Sequence, residues 1–295
     1  MSVTDFAPEP PFPFAFPPAR TVHVPGRGEF FLRDSHPAHP AGEPETRPVV
    51  MLLHGWIASA DLNWAAVYGS LIDAGYRVLA IDHRGHGRGL RPLVPFRLAD
   101  CAADAAGVLR TLGLGPAIIV GYSMGGAIAQ FVVRDHPDVV AGLVLSGTAQ
   151  HWQDPQLKRS WYALEVAGIV MRLAPSRFWS WGLKRVGMPA NAATAWLLSE
   201  VNRHNPTDIL EAGRELSRFD SRPWLAPSDT PAAVVLTTRD TVVPPRKQRD
   251  LARAIEAPIF EAPIDHLEVA NAVDRYNPAL VSALAAVSSP TLSLS

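Results

Sequence analysis

The chain has 295 residues, 47% of them hydrophobic and 19% charged, with a formal net charge of −1. Such a composition supplies enough apolar surface for a well-buried core, excludes a disordered chain, and provides no global basic field to attract nucleic acid. The single cysteine, Cys101, excludes an intrachain disulfide. It falls in an amphipathic run, RLADCAADAAGVLR, and is expected to be a buried packing residue. No apolar run reaches the ~18 residues needed to cross a bilayer. No basic segment followed by an apolar one opens the chain, so a cytoplasmic location is the default expectation.

Residues 1–20 form a Pro/Phe-rich arm containing FAPEPPFPFAFPPAR. Proline at this density disfavours helix and sheet, and predicts a flexible or surface-draped segment. TVHVPGRGEFFLRD then predicts a hairpin around Pro25-Gly26, and HPAHPAGEPETRP a polar loop. From there short apolar runs alternate with helical spacing. Strands are predicted over VVMLLHG (49–55), YRVLAID (76–82), AIIVGYS (117–123) and AGLVLSGTA (141–149), with helices over 62–75, 97–113 and 124–137. Continuous apolar strands alternating with helices imply a mostly parallel sheet covered on both faces.

The alternation stops over residues 150–226, which read as helical with breaks near Pro155, Pro175, Pro189 and Pro206. Six of the eight tryptophans lie there: Trp152, Trp161, Trp179, Trp181, Trp196 and Trp224. The earlier pattern resumes with strands at 231–240 and 257–264 and helices around 244–256 and 268–287. The predicted architecture is therefore one α/β core, residues 21–149 and 227–288, of about eight strands, with a helical insertion over 150–226 and a frayed Ser-rich tail.

Between a predicted strand and a predicted helix stands GYSMGG (121–126), the pattern G-x-S-x-G. A serine there occupies a sharp turn that projects its hydroxyl above the sheet. Gly121 and Gly125 carry no side chain to collide across the turn, and Gly126 lets the helix pack close. The helix start supplies the Met124 N–H and a dipole suited to an oxyanion. Ser123 is thus the candidate nucleophile. A serine hydroxyl needs a base, and the base needs an orienting acid.

The chain over about residues 20–287 resembles the α/β-hydrolase superfamily. Besides the serine turn, His54-Gly55-Trp56 resembles the loop that carries the other oxyanion-hole amide, which implies the Trp56 N–H beside that of Met124, with His54 and Gly55 supporting. DHRGHGRG (82–89) resembles the family's D-x-R-G-x-G turn. TTRDTVVPP (237–245) resembles its acid loop, which implies Asp240, and DHLE (265–268) its histidine loop, which implies His266. Asp154 is a rival acid. Asp265 stands where many relatives have glycine, and either faces the imidazole or points into solvent.

The insertion resembles the helical cap of that superfamily. Tyr122, Trp152, Trp161 and Trp181, with Leu164, Ile169, Met171 and Phe178, are candidate pocket residues or simply packing. The basic residues Arg172, Arg177, Lys184 and Arg185 beside them leave a lipid-facing patch as a further reading. His83 and His86 raise a metal reading that no Cys or carboxylate set completes. No cofactor is expected, and no nucleotide-binding loop is present. The expected reaction is hydrolysis of a small apolar ester. Thioester, lactone or C–C cleavage, acyl transfer and non-catalytic binding are the alternatives on the same fold.

Overall fold

The computed structural model describes residues 15–37, 45–153, 168, 171–185 and 187–288. Within them eight strands form one sheet: β1 (Ala19–Val24), β2 (Gly28–Asp34), β3 (Val49–Leu53), β4 (Arg77–Ile81), β5 (Ala117–Tyr122), β6 (Val140–Ser146), β7 (Ala232–Thr237) and β8 (Ile259–Ala262). Their order is β1-β2-β4-β3-β5-β6-β7-β8. β2 pairs antiparallel with β1 and with β4, and the remaining pairs are parallel. The mostly parallel eight-stranded sheet predicted from the apolar runs is the one observed.

The apolar runs are continuous because both faces are covered. Val49, Met51 and Leu53 of β3 and Ala117 and Ile119 of β5 enter one core, while Val50, Leu52, Ile118, Val120 and Tyr122 enter the other. The period-2 alternation of a strand distributes them. The first core is closed by α3 (Leu98–Leu112) and α4 (Met124–Asp135), where Cys101 is buried. The second is closed by α1 (Ala60–Trp64) and α2 (Tyr68–Asp73).

The single helix predicted over 62–75 is divided between α1 and α2. Ser59 starts α1 earlier by accepting from the Leu62 N–H, and the Val67 N–H turns back to the Trp64 carbonyl, a three-residue step that interrupts the helical ladder. Trp64, Val67, Tyr68 and Leu71 are all buried as a result.

Between β6 and β7 the described residues form α5 (Pro175–Arg185), α6 (Ala192–Val201) and α7 (Pro206–Arg218). The helical breaks near Pro175 and Pro206 are present, and each proline opens the helix that follows, because the first helical position needs no N–H donor. Asn191 caps α6 and Asn205 caps α7 through their side-chain oxygens. No residue of α5 is buried, whereas α6 buries Trp196, Glu200 and Val201 and α7 buries six residues. The last two α-helices among the described residues are α8 (Pro245–Ala254) and α9 (Val273–Ser288). Of the N-terminal arm, Phe16 is seated against Tyr68 and Trp196, with the Arg33 guanidinium 5.1 Å from its ring. Asp154, Trp161, Leu164 and Ile169 lie outside the described residues.

Candidate active site

β5 delivers Ser123 one residue past its carboxyl end, and α4 begins immediately afterwards. Ser123 has φ 55° and ψ −116°, a conformation disfavoured for any residue with a Cβ. The surroundings impose it. A Cβ on Gly121 would stand 2.3 Å from the Gly125 carbonyl oxygen, and one on Gly125 2.0 Å from that of Leu53. The Thr148 hydroxyl donates to the Ser123 carbonyl at 2.8 Å, and the Ser123 N–H donates to the Ser146 carbonyl at 3.0 Å. Gly125→Ala is expected to lower stability by about 3 kcal/mol or more, because the obstacle is backbone of a central strand. Gly69→Ala, where nothing lies within 4 Å of the added carbon, is the matched control; urea midpoints of the two variants check this.

The structure brings Ser123, His266 and Asp240 together. His266 Nε2 lies 3.0 Å from Ser123 Oγ, and His266 Nδ1 lies 2.8 Å from Asp240 Oδ2. All three are buried, at 6%, 7% and 4% exposure, which keeps water from competing for these bonds. Asp240 also accepts from the Val242 and Val243 amides at 2.9 and 2.7 Å and from the Thr237 hydroxyl at 2.7 Å. Gln248 Nε2 donates to Thr237 Oγ1 and, at 3.4 Å, to Asp240 Oδ2. The carboxylate is therefore held on both oxygens.

Asp265 is half-buried and engages the neighbouring acid loop. Its Oδ2 accepts from the Thr241 amide and hydroxyl at 3.1 and 2.8 Å, tying the histidine loop to the acid loop. With Glu268 it forms a reciprocal cap on the turn that starts at His266.

The loop after β3 reaches the serine from the other side. A Cβ on Gly55 would stand 3.3 Å from Ser123 Cβ. The Gly55 amide donates to Asn63 Oδ1 at 2.9 Å. His54 Nδ1 donates to the Gly55 carbonyl at 2.8 Å, and its Nε2 accepts from the His83 amide at 3.0 Å. These partners fix the neutral Nδ1–H tautomer, and burial pushes the His54 pKa well below its usual value. His54 is thus a strut between its own loop and the turn at 82–89. That turn is organised by Asp82, which accepts from the Ala60 and Arg88 amides at 2.6 and 2.7 Å. Gly87, at φ 48°, passes over it where a Cβ would stand 2.3 Å from the carboxylate. His83 and His86 belong to this packed turn.

The sequence profile of the alpha/beta hydrolase fold family matches residues 48–267, from the start of β3 to the histidine loop. The chain belongs to this family. Among similar proteins, this α/β hydrolase is 42% identical over 102 residues to a non-heme haloperoxidase of Rhodococcus erythropolis, covering 34% of this chain and 36% of that protein. It is 39% identical over 103 residues to a bifunctional esterase/perhydrolase of Acinetobacter calcoaceticus, 35% of this chain and 37% of that one. The matches thus span little more than a third of these relatives' length. The fold superposes on the crystal structure of a bromoperoxidase from Bacillus anthracis with a TM-score of 0.75, over 91% of this chain and 100% of that chain, at 20% identity.

Three described residues offered as pocket candidates take other positions in the hydrolase. Tyr122 points into the core beneath the site, since alternation along β5 turns it away from the serine edge, and its hydroxyl donates to the His266 carbonyl at 2.6 Å. Trp152 is buried in the opposite core. Trp181 is 62% exposed, with Arg185 over its ring at 5.7 Å, because α5 buries no side chain. Two further candidates, Met171 and Phe178, join Ile209 and Leu210 in an apolar cluster against which Trp56 and Ile57 of the loop after β3 and Trp179 also pack. Thr237, Gln248, Thr148 and Asn63 carry no sequence signal for their roles, since each acts through a partner supplied by folding. No helix among the described residues is long and apolar enough to cross a membrane.

Proposed function

We propose that this α/β hydrolase is a serine hydrolase that cleaves carboxylic esters with an apolar acyl or aromatic group through an acyl-enzyme. The observation that carries the reading is the hydrogen-bonded chain from Ser123 Oγ through His266 to Asp240, at 3.0 and 2.8 Å, with the serine on a strained turn. In this mechanism His266 Nε2 takes the Ser123 proton as Oγ attacks the ester carbonyl, then delivers it to the departing alkoxide. The acyl group left on Ser123 Oγ is then attacked by water activated by the same imidazole, which returns the proton to Oγ as the carboxylic acid leaves. Asp240 keeps the imidazole in the tautomer with its proton on Nδ1 and stabilises the imidazolium formed in each half-reaction.

Oxyanion charge is taken by the backbone amides of Met124 and Trp56. The first opens α4, where no preceding turn supplies a helical acceptor for it. The second follows Gly55, where an added Cβ would stand 3.3 Å from Ser123 Cβ. A serine at the turn supports acyl chemistry over the alkyl-enzyme chemistry of aspartate nucleophiles. The apolar cluster around Met171, Ile209 and Leu210 supports an apolar substrate, with the helices between β6 and β7 acting as a cap. One relative, from Acinetobacter calcoaceticus, is a bifunctional esterase/perhydrolase, which agrees with ester cleavage.

The test is initial rates on p-nitrophenyl esters from acetyl to palmitoyl, together with peptide mapping after treatment with a fluorophosphonate. Turnover that peaks at one chain length, with stoichiometric phosphonylation of Ser123, is the expected result. No turnover of any ester, or modification at another residue, would overturn the proposal.

A further inference from the structure

The loop that carries the Trp56 amide contains a strained residue. Ile57 has φ 61°, and a β-branched side chain pays a steric penalty there that glycine does not. Such a conformation persists only where its surroundings over-determine it. The constraint comes from a distant segment. His204, just before α7 and only 5% exposed, bridges the two loops that flank the site. Its Nδ1 accepts from the Gly87 amide at 2.9 Å, and its Nε2 donates to the Ile57 carbonyl at 3.2 Å.

The roles are fixed by the partners. An amide only donates and a carbonyl only accepts, so the ring is neutral, with its proton on Nε2. Neighbouring bonds hold His204 in place. The Asn205 amide donates to the Gly85 carbonyl at 2.8 Å, and Glu200 takes Arg88 at 2.8 Å and the Ser59 hydroxyl at 3.2 Å. Further along the same segment, the Ile209 carbonyl accepts from the Trp56 indole at 2.8 Å.

We propose that His204 is a positioning residue for the oxyanion hole: by joining Gly87 N–H to the Ile57 carbonyl it holds the strained loop in the one arrangement that aims the Trp56 amide at the reacting carbonyl. The far half of the helical segment between β6 and β7 is then a fixed part of the reaction machinery as well as a cover for substrate. This inference rests on the serine-hydrolase reading above.

The experiment compares wild type, Ser123→Ala, His204→Leu, His204→Gln and the double variant His204→Leu/Ile57→Gly on the preferred p-nitrophenyl ester, with melting temperatures recorded for each. His204→Leu is expected to lower kcat about 10- to 100-fold, the scale of a small misplacement of a reacting geometry, while KM moves less than about threefold. Glutamine, which can accept through Oε1 and donate through Nε2, is expected to recover part of the loss. Ile57→Gly in the leucine background is also expected to recover part, because glycine adopts the loop conformation without the clamp. A purely structural role would lower the melting temperature and leave kcat well below that temperature intact.

Should His204→Leu not fold, His204→Asn, too short to reach both partners, replaces it with the same expectations. An unchanged kcat in the folded leucine or asparagine variant, or a loss that neither glutamine nor Ile57→Gly relieves, overturns the inference while leaving the hydrolase reading intact. Turnover retained by Ser123→Ala overturns the hydrolase reading itself, and this inference with it.

Discussion

Ser123→Ala is expected to lower kcat on the preferred ester by about a million-fold, and Asp240→Asn by about ten-thousand-fold, with the second variant also the less stable of the two. The alanine removes the attacking atom from a site that is otherwise unchanged, since Ser123 is held through its backbone amide and carbonyl. What survives is water attack assisted by the oxyanion amides. The asparagine acts differently. Every group around the Asp240 carboxylate is a donor: two amides, the Thr237 hydroxyl, Gln248 Nε2 and His266 Nδ1. An amide NH2 placed there has only two possible acceptors, the imidazole and the Thr237 hydroxyl oxygen, which already accepts from Gln248 Nε2 at 2.7 Å. Donating to the imidazole, it makes His266 accept at Nδ1 and carry its proton on Nε2, facing Ser123 as a donor. The base is then in the wrong tautomer. The remaining donors are left facing an NH2, at about 1–3 kcal/mol for each one unsatisfied. Single-turnover rates and urea midpoints for both variants check this. Activity of Asp240→Asn within tenfold of wild type would show that the imidazole does not depend on this carboxylate.

What the sequence discloses here is whatever lies in a short contiguous stretch. The serine turn is legible because six neighbouring residues, GYSMGG, carry both the reactive group and the glycines its geometry needs. The sheet is legible because burial on both faces makes β3, β5 and β4 after Arg77 continuous apolar runs. Tyr122 shows the limit within a strand: the sequence leaves pocket and packing both open, and only the fold places its side chain in the core, with the phenol donating to the His266 carbonyl from below. His204 had no motif at all. Its partners, Gly87 and Ile57, are 117 and 147 positions away, and only the folded chain brings them together. Asp265 shows the same limit at close range: its acceptor role depends on Thr241, which only the meeting of two loops supplies.

Stability is expected to fall steeply as pH drops below about 6.5, because four buried imidazoles form one cluster beside the oxyanion loop. The His54 ring centroid lies 4.3 Å from that of His83 and 5.4 Å from that of His86, and His86 lies 5.6 Å from His204. Burial is the largest cause lowering each pKa, to about 3 for His83, to about 4 for His204, and well below 6.5 for His54 and His86; neighbouring histidines push three of the four further down. Arg84 adds to the effect at His83, and Arg91 at His204. The Nε2 atoms of His83 and His86 have no hydrogen-bond partner among the described residues, so a proton added there meets no acceptor.

The unfolded chain protonates these rings near pH 6.5 while the folded chain keeps them neutral, so unfolding takes up protons and acid favours it. Asp82 works in the opposite sense. Burial, with Asp61 adding, raises its pKa to about 6, so its folded form holds a proton that the unfolded form releases, and this contribution favours the fold as pH falls. Four rings against one carboxyl leave acid destabilisation dominant, at most about 4–5 kcal/mol between pH 7.5 and 5.5 from 1.36 kcal/mol per pKa unit. That is a large share of the about 5–15 kcal/mol available to a folded domain. Urea unfolding at the two pH values, with the proton uptake at pH 5.5 measured by calorimetry in two buffers, is the check. Uptake of about three protons from these groups is expected. An unchanged midpoint with no uptake would mean that the cluster is already charged in the folded hydrolase, and that the neutral bridges made by His54 and His204 do not hold in solution.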